Sequence, residues 1–188
     1  MEIISISKAL SKTNRKKVIK SIIEGKIFVY PTDTIYGIGC DALNEDSVNK
    51  IREIKDRFDK PFSVIAPNKP WIYNNFKVNK RYIERLPGPF TFILKVIKKN
   101  LVAKSVNFNL DTLGVRIPDN EFTKLVQEAG IPFITTSVNI KNKKPITSID
   151  KIPRKIAKEI DIVIDAGELK NNPSTIIDLT GKIAKILR

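Results

Sequence analysis

Apolar and polar positions along this chain switch repeatedly between a period near two and a period near three and a half, and each switch marks an element. Ile3–Ser5 reads as a first strand, followed by a helix from about Thr13 to Glu24 whose Val18, Ile19, Ile22 and Ile23 share one face and which Gly25 stops. Ile27-Phe28-Val29-Tyr30 is a continuous apolar run, cut off by Pro31, which cannot donate to a ladder. A helix capped by Asp46 carries Val48, Ile51 and Ile54 and brings Lys55 and Arg57 to its C-terminal end. Further strands are predicted at 62–66, 91–96, 113–117 and 133–136, with helices at 80–86, halted by Pro87-Gly88-Pro89, and at 121–129. The last third predicts a helix over 153–159 and strands over 162–165, 175–179 and 182–187. Helices and strands alternate early, whereas the strand-rich ending favours antiparallel pairing. The expected class is therefore α/β (α+β): a twisted, mixed parallel and antiparallel sheet with helices packed against it.

The 188 residues, 41% of them hydrophobic, suffice for one domain with a substantial core, and no composition break or repeat divides them. The 34 basic residues exceed the 20 acidic ones by 14, a charge that favours a polyanion such as RNA or a phosphate-bearing ligand. A Lys-rich surface, with 26 Lys against 8 Arg, accounts for the same total without any partner. The absence of His is more decisive: imidazole acid–base catalysis, Ser-His-Asp triads and His-containing metal sites are all excluded. The one cysteine, Cys40, can form neither an intrachain disulfide nor a multi-thiolate site, which fits a reducing cytoplasm. No signal-peptide pattern opens the chain and no apolar run reaches membrane-spanning length, so a soluble cytoplasmic protein without a membrane partner is expected.

Candidate chemistry collects where strands end. After Tyr30 the chain reads Pro31-Thr32-Asp33-Thr34-Ile35-Tyr36-Gly37-Ile38-Gly39, a loop of hydroxyls with two glycines that permit close ligand approach. Thr135-Thr136-Ser137-Val138-Asn139 and Asn172-Pro173-Ser174-Thr175 repeat the theme. Arg57, Arg116 and Arg188 stand at element ends, each offering a planar, permanently charged fork. Loops of Thr, Ser, Asn and Arg with few carboxylates suit an anion with many oxygens. No Gly-x-x-x-x-Gly-Lys-Ser/Thr pattern occurs, so a standard P-loop is absent. The ordinary alternative for each residue is local: strand-end hydroxyls often close turns and Asn139 can cap one.

Six strings follow one another in a familiar order: Tyr30-Pro31-Thr32-Asp33-Thr34-Ile35-Tyr36-Gly37, Lys55-Asp56-Arg57, Pro87-Gly88-Pro89-Phe90-Thr91, Leu113-Gly114-Val115-Arg116-Ile117-Pro118, Thr136-Ser137-Val138-Asn139 and Pro173-Ser174-Thr175-Ile176-Ile177-Asp178. In that order they resemble the YrdC family over nearly the whole chain, in its short single-domain form. The resemblance implies a nucleotidyltransferase, an L-threonylcarbamoyladenylate synthase that condenses L-threonine, bicarbonate or carbon dioxide, and ATP into threonylcarbamoyl-AMP and pyrophosphate. Downstream tRNA-modifying proteins then use the product beside the anticodon. Such chemistry needs no side-chain nucleophile, only positioning and charge stabilisation, so a chain without His can perform it.

Carried over by motif, the resemblance assigns L-threonine to Thr34, Arg116, Thr135 and Ser174. It assigns ATP to Lys55, Arg57, Thr112, Ser137, Asn139 and Arg188, with Lys55 and Arg57 nearest to a catalytic role. Magnesium is expected with ATP, without identified protein ligands, and no organic cofactor is implied. Two departures stand out. Phe58 replaces the family's usual proline in a shortened loop, so Lys60 is expected to take over an ATP contact. Ser137-Val138-Asn139-Ile140-Lys141-Asn142 lacks the family's usual glycine turn, leaving Asn142 to supply a left-handed residue. The main rival is an RNA-binding paralogue of the same fold, taking tRNA or double-stranded RNA on its lysine surface. A carbamoyl-phosphate-using transferase is a second, against which the absence of zinc-type cysteines and of appended domains counts.

Overall fold

The computed structural model describes residues 1–140 and 143–188, so the turn assigned to Asn142 lies outside the described residues. Among the described residues eleven strands form: β1 (Glu2–Ser5), β2 (Phe28–Tyr30), β3 (Gly37–Gly39), β4 (Ser63–Ile65), β5 (Phe76–Lys77), β6 (Phe90–Val96), β7 (Thr112–Arg116), β8 (Phe133–Ser137), β9 (Ile162–Asp165), β10 (Thr175–Asp178) and β11 (Lys185–Ile186). The helices are α1 (Ile6–Ala9), α2 (Lys12–Ile23), α3 (Glu45–Lys55), α4 (Lys69–Asn75), α5 (Lys80–Ile83), α6 (Lys104–Asn107), α7 (Glu121–Ala129) and α8 (Arg154–Ala157). The strands join in the order β1-β9-β2-β3-β8-β4-β7-β6-β10-β11, with β5 on the edge of β6. The β1/β9, β9/β2, β4/β7 and β6/β10 pairs are parallel and the others antiparallel, the mixed sheet that the pattern predicts.

Alternation along the strands explains how the sheet is covered. Val29, Val64, Phe92, Leu94, Val115, Ile134 and Val163 point to one face, where they pack with Val48 and Ile51 of α3, Ile72 of α4, Ile83 of α5 and Val106 of α6. Phe28, Tyr30, Ile65, Phe133 and Ile164 point to the other, under Val18 and Ile22 of α2 and Phe122, Leu125 and Val126 of α7. Strands apolar on both faces must be covered on both, which is why residues 28–30 read as a continuous apolar run. The second apolar cluster draws no buried member from β6, β7 or β10. There the same face carries Thr91, Gly114 and Arg116, with Ser63 of the neighbouring β4 opposite Gly114, and this is where the site forms.

Some expected elements shift. The stretch 37–39 reads as loop because glycines carry no periodicity, yet it is a strand pairing with both β2 and β8. Its glycines are required by closeness: a Cβ at Gly37 would lie 2.8 Å from the Tyr30 ring, and one at Gly39 would lie 1.9 Å from the Ile134 carbonyl oxygen. The α3 cap is Asn44, whose side chain accepts from the Ser47 amide at 3.0 Å, and Asp46 instead stands in the first turn. The expected final strand at 182–187 contracts to Lys185–Ile186, and α1, α4, α6 and β5 have no sequence counterpart.

Candidate active site

The open face of the sheet ends in a cavity of about 210 Å³. The loop after β2 supplies one wall through Thr32, Thr34, Ile35 and Tyr36. Register supplies the floor: Ser63 of β4 lies opposite Thr135 of β8 on one side and Gly114 of β7 on the other. A Cβ at Gly114 would stand 2.3 Å from the Ser63 hydroxyl, so the glycine keeps this floor thin. Thr91, Ser174 and Ile176 form the far side, and Arg57, Arg116 and Arg188 all reach in.

The hydroxyls are wired together. Thr32 Oγ1 lies 2.8 Å from Thr34 Oγ1 and donates to the Ile35 carbonyl at 2.7 Å, a local turn that turns the threonines inward. Thr91 of β6 and Ser174, the residue before β10, share a hydrogen bond of 2.9 Å. Tyr36, a further lining residue, donates its hydroxyl to the Gly167 carbonyl at 2.8 Å and accepts from the Ala166 amide at 3.0 Å, fixing the loop after β9.

The guanidiniums are fixed differently. Arg116 donates Nη2 to Asp33 Oδ1 at 2.5 Å, and both side chains are buried, at 7% and 9% exposure. Asp33 Oδ2 also accepts from the Asp119 amide at 3.1 Å, while the Asp33 carbonyl accepts from Asn171 at 2.9 Å. Arg57 donates Nη2 to the Pro61 carbonyl at 2.7 Å and lies over the Phe62 ring. Arg188 donates Nε and Nη2 to the Ser174 carbonyl at 3.2 and 3.1 Å, and its backbone oxygen accepts from Ile176 at 3.0 Å. Burial lowers the pKa of all three, Asp33 opposing and Arg188 adding to the shift at Arg116. Guanidiniums nevertheless stay charged in proteins. Arg57 Nε and Arg116 Nε are the two buried side-chain polar atoms with no hydrogen-bond partner among the described residues. A buried unpaired donor is costly, and an anion seated in the cavity would remove that cost.

Of the residues expected at the site, Thr34, Arg57, Arg116, Thr135, Ser137, Ser174 and Arg188 line the cavity. Four do not. Lys55 turns its ammonium to the Ser137 and Asn139 carbonyls and to Asn139 Oδ1, and this occupies Asn139 as well. Lys60 is exposed, with its carbonyl accepting from Arg52. Thr112 shares the open face with Gly114 and Arg116 but stands at the other end of β7, opposite Lys95. Lining residues that were not singled out include Thr32, Ser63, Thr91 and Thr136. Ser63 lies opposite Thr135 across β4 and β8, while Thr32 and Thr136 stand beside Thr34 and Thr135 in the same hydroxyl-rich stretches.

A sequence model of the Sua5/YciO/YrdC family, described as "Telomere recombination", matches residues 20–188. The chain belongs to the Sua5/YciO/YrdC family. A relative named putative threonylcarbamoyl-AMP synthase, from Methanocaldococcus jannaschii, is 42% identical over 185 residues, covering 90% of this chain and 84% of its own length. Sua5 of Pyrococcus abyssi, solved in complex with L-threonine, superposes with a TM-score of 0.88 at 29% identity, over 100% of this chain and 57% of that one. The chain thus spans little more than half of that protein. YciO of Escherichia coli matches with a TM-score of 0.82 at 25% identity, over 95% of this chain and 89% of its own.

Proposed function

We propose that the chain is an L-threonylcarbamoyladenylate synthase, a nucleotidyltransferase acting in tRNA modification in the cytoplasm. One observation supports the reading above the others. Three arginines and a set of inward hydroxyls converge on one cavity with no carboxylate in its described lining, and two of those arginines keep a buried Nε unpaired. Membership of a family whose relatives carry the synthase name supports the same reading.

In this reading the threonine carboxylate sits on Arg116, with Thr34, Thr135 and Ser174 around its hydroxyl and amine. The amine takes up carbon dioxide as a carbamate, and a carbamate oxygen attacks the α-phosphorus of ATP, expelling pyrophosphate. Arg57 and Arg188 hold phosphate oxygens and offset the charge that builds as pyrophosphate leaves, while Ser137 adds a polar contact. The protein's share is orientation and preorganised charge. A magnesium ion does not find a protein cage here: no carboxylate lines the cavity, and no group of three or more His, Cys, Asp or Glu gathers among the described residues. A magnesium ion accompanying ATP would be held by the nucleotide's phosphates and would help neutralise their charge, beside Arg57 and Arg188. No helix among the described residues is long and apolar enough to cross a membrane.

The test is pyrophosphate release from ATP and bicarbonate, measured with and without L-threonine. Release that requires threonine is the expected result, whereas release indifferent to threonine, or none, would overturn the assignment.

A further inference from the structure

Lys55 and Arg57 are separated by one residue, yet they face different ways. The separating residue, Asp56, caps α3 in the left-handed conformation at φ 46°, and the chain turns there. Arg57 goes to the cavity, while Lys55 goes beneath the segment that leaves β8. An ammonium has three N–H donors. Lys55 Nζ has three acceptors, the Ser137 carbonyl at 2.7 Å, the Asn139 carbonyl at 2.8 Å and Asn139 Oδ1 at 2.6 Å. Every donor is taken, so none is left for a phosphate oxygen.

The acceptor side is equally committed. Asn139 Oδ1 also receives the Ser137 hydroxyl at 2.7 Å, and its Nδ2 donates to the Ile140 and Lys143 carbonyls at 3.1 and 2.9 Å. A single buried charge thus gathers Ser137, Ile140 and Lys143 through Asn139, and Ser137 lines the cavity. We infer that Lys55 is a positioning residue, a charged latch that holds the Ser137–Asn139 wall of the cavity through Asn139, and not a ligand of the nucleotide. Its bearing on nucleotide binding rests on the synthase reading; the latch itself does not.

Amide hydrogen exchange on the full, ligand-free chain reads the latch directly. The reporters are the amides of Val138, Lys143 and Ile146, bonded to the Tyr36, Ile140 and Val138 carbonyls, with the β4 and β7 amides as internal controls. Loss of the charge-assisted bonds in Lys55→Met should speed reporter exchange by about ten- to a hundredfold, with the controls unchanged. Asn139→Ala, which keeps the lysine but removes the shared acceptor, should give the same pattern, and it serves where the methionine variant does not fold. ATP affinity should fall to a similar degree in each single variant, with no further loss in the double variant, since both break one unit. Unchanged exchange in both variants, or losses of ATP affinity that add in the double variant, would overturn the inference and return Lys55 to the phosphates. If no variant and no parent binds ATP, the synthase reading has failed, and the exchange arm still decides the latch.

Discussion

Arg116 and Asp33 form a buried pair in which each residue makes the other tolerable. Removing one partner of such a pair leaves an uncompensated buried charge, at about 3–5 kcal/mol, whereas replacing both with neutral groups is far milder. Arg116→Ala is therefore expected to lose both stability and threonine-dependent pyrophosphate release. Arg116→Met with Asp33→Asn should recover most of the stability, read as the urea midpoint, without recovering activity. Recovery of both would mean that the guanidinium only holds the loop after β2. The pairing itself was not legible in the sequence. Asp33 and Arg116 each stand out as charged residues at strand ends, but 82 residues lie between them, and only the packing of the 31–36 loop across the end of β7 joins them. Thr34, assigned by the motif resemblance, does line the cavity, with its hydroxyl 2.8 Å from that of Thr32.

At the scale of elements, strands with two apolar faces were the easiest to read and glycine strands the hardest. The run 27–30 announces β2 by its composition, whereas β3 presents Gly37 and Gly39 where a pattern would need side chains, and its pairing is set by partners far away in sequence. Short helices such as α4 and α6 fell below the length at which periodicity can be counted. The α3 boundary shows a finer lesson, since Asn44 and Asp46 are both good caps by type and only geometry separates them. Asn44→Ala should cost about 1 kcal/mol through the lost cap, and Asp46→Ala only a few tenths through the helix dipole. Chemical denaturation of the two variants checks the order, and a larger loss at Asp46 would reassign the cap.

For the whole molecule, composition excluded histidine chemistry and left the basic charge between a polyanionic partner and a Lys-rich surface, but the order of strands was out of its reach. β9 is inserted between β1 and β2 from more than a hundred residues away, a pairing no local pattern encodes. The buried charge of Lys55 leaves a mark on global stability. Burial, with Arg57 adding to it, lowers its pKa from the ordinary 10.5 to about 8. Between those values the unfolded chain still holds the proton that the native chain has released, so unfolding takes up a proton and stability from this group rises with pH across that window. Wild type should therefore gain on Lys55→Met by up to about 3 kcal/mol between pH 8 and 10.5, measured as the difference in unfolding free energy between the two chains. A difference that stays flat would mean that the native lysine keeps its proton.

The strand β7 presents Leu113 and Val115 to the apolar core and, on the opposite face, Gly114 beneath Ser63 and Arg116 to the cavity, on a strict alternation. That makes the site a matter of parity. A substitution in β7 alters one contact, but a slip of the whole Leu113–Arg116 stretch by a single residue exchanges the two sets: leucine and valine would face the cavity, and arginine would be driven into the hydrocarbon layer under α3. Point changes can tune this pocket; a shift of one reading step along a single strand abolishes it together with the core behind it.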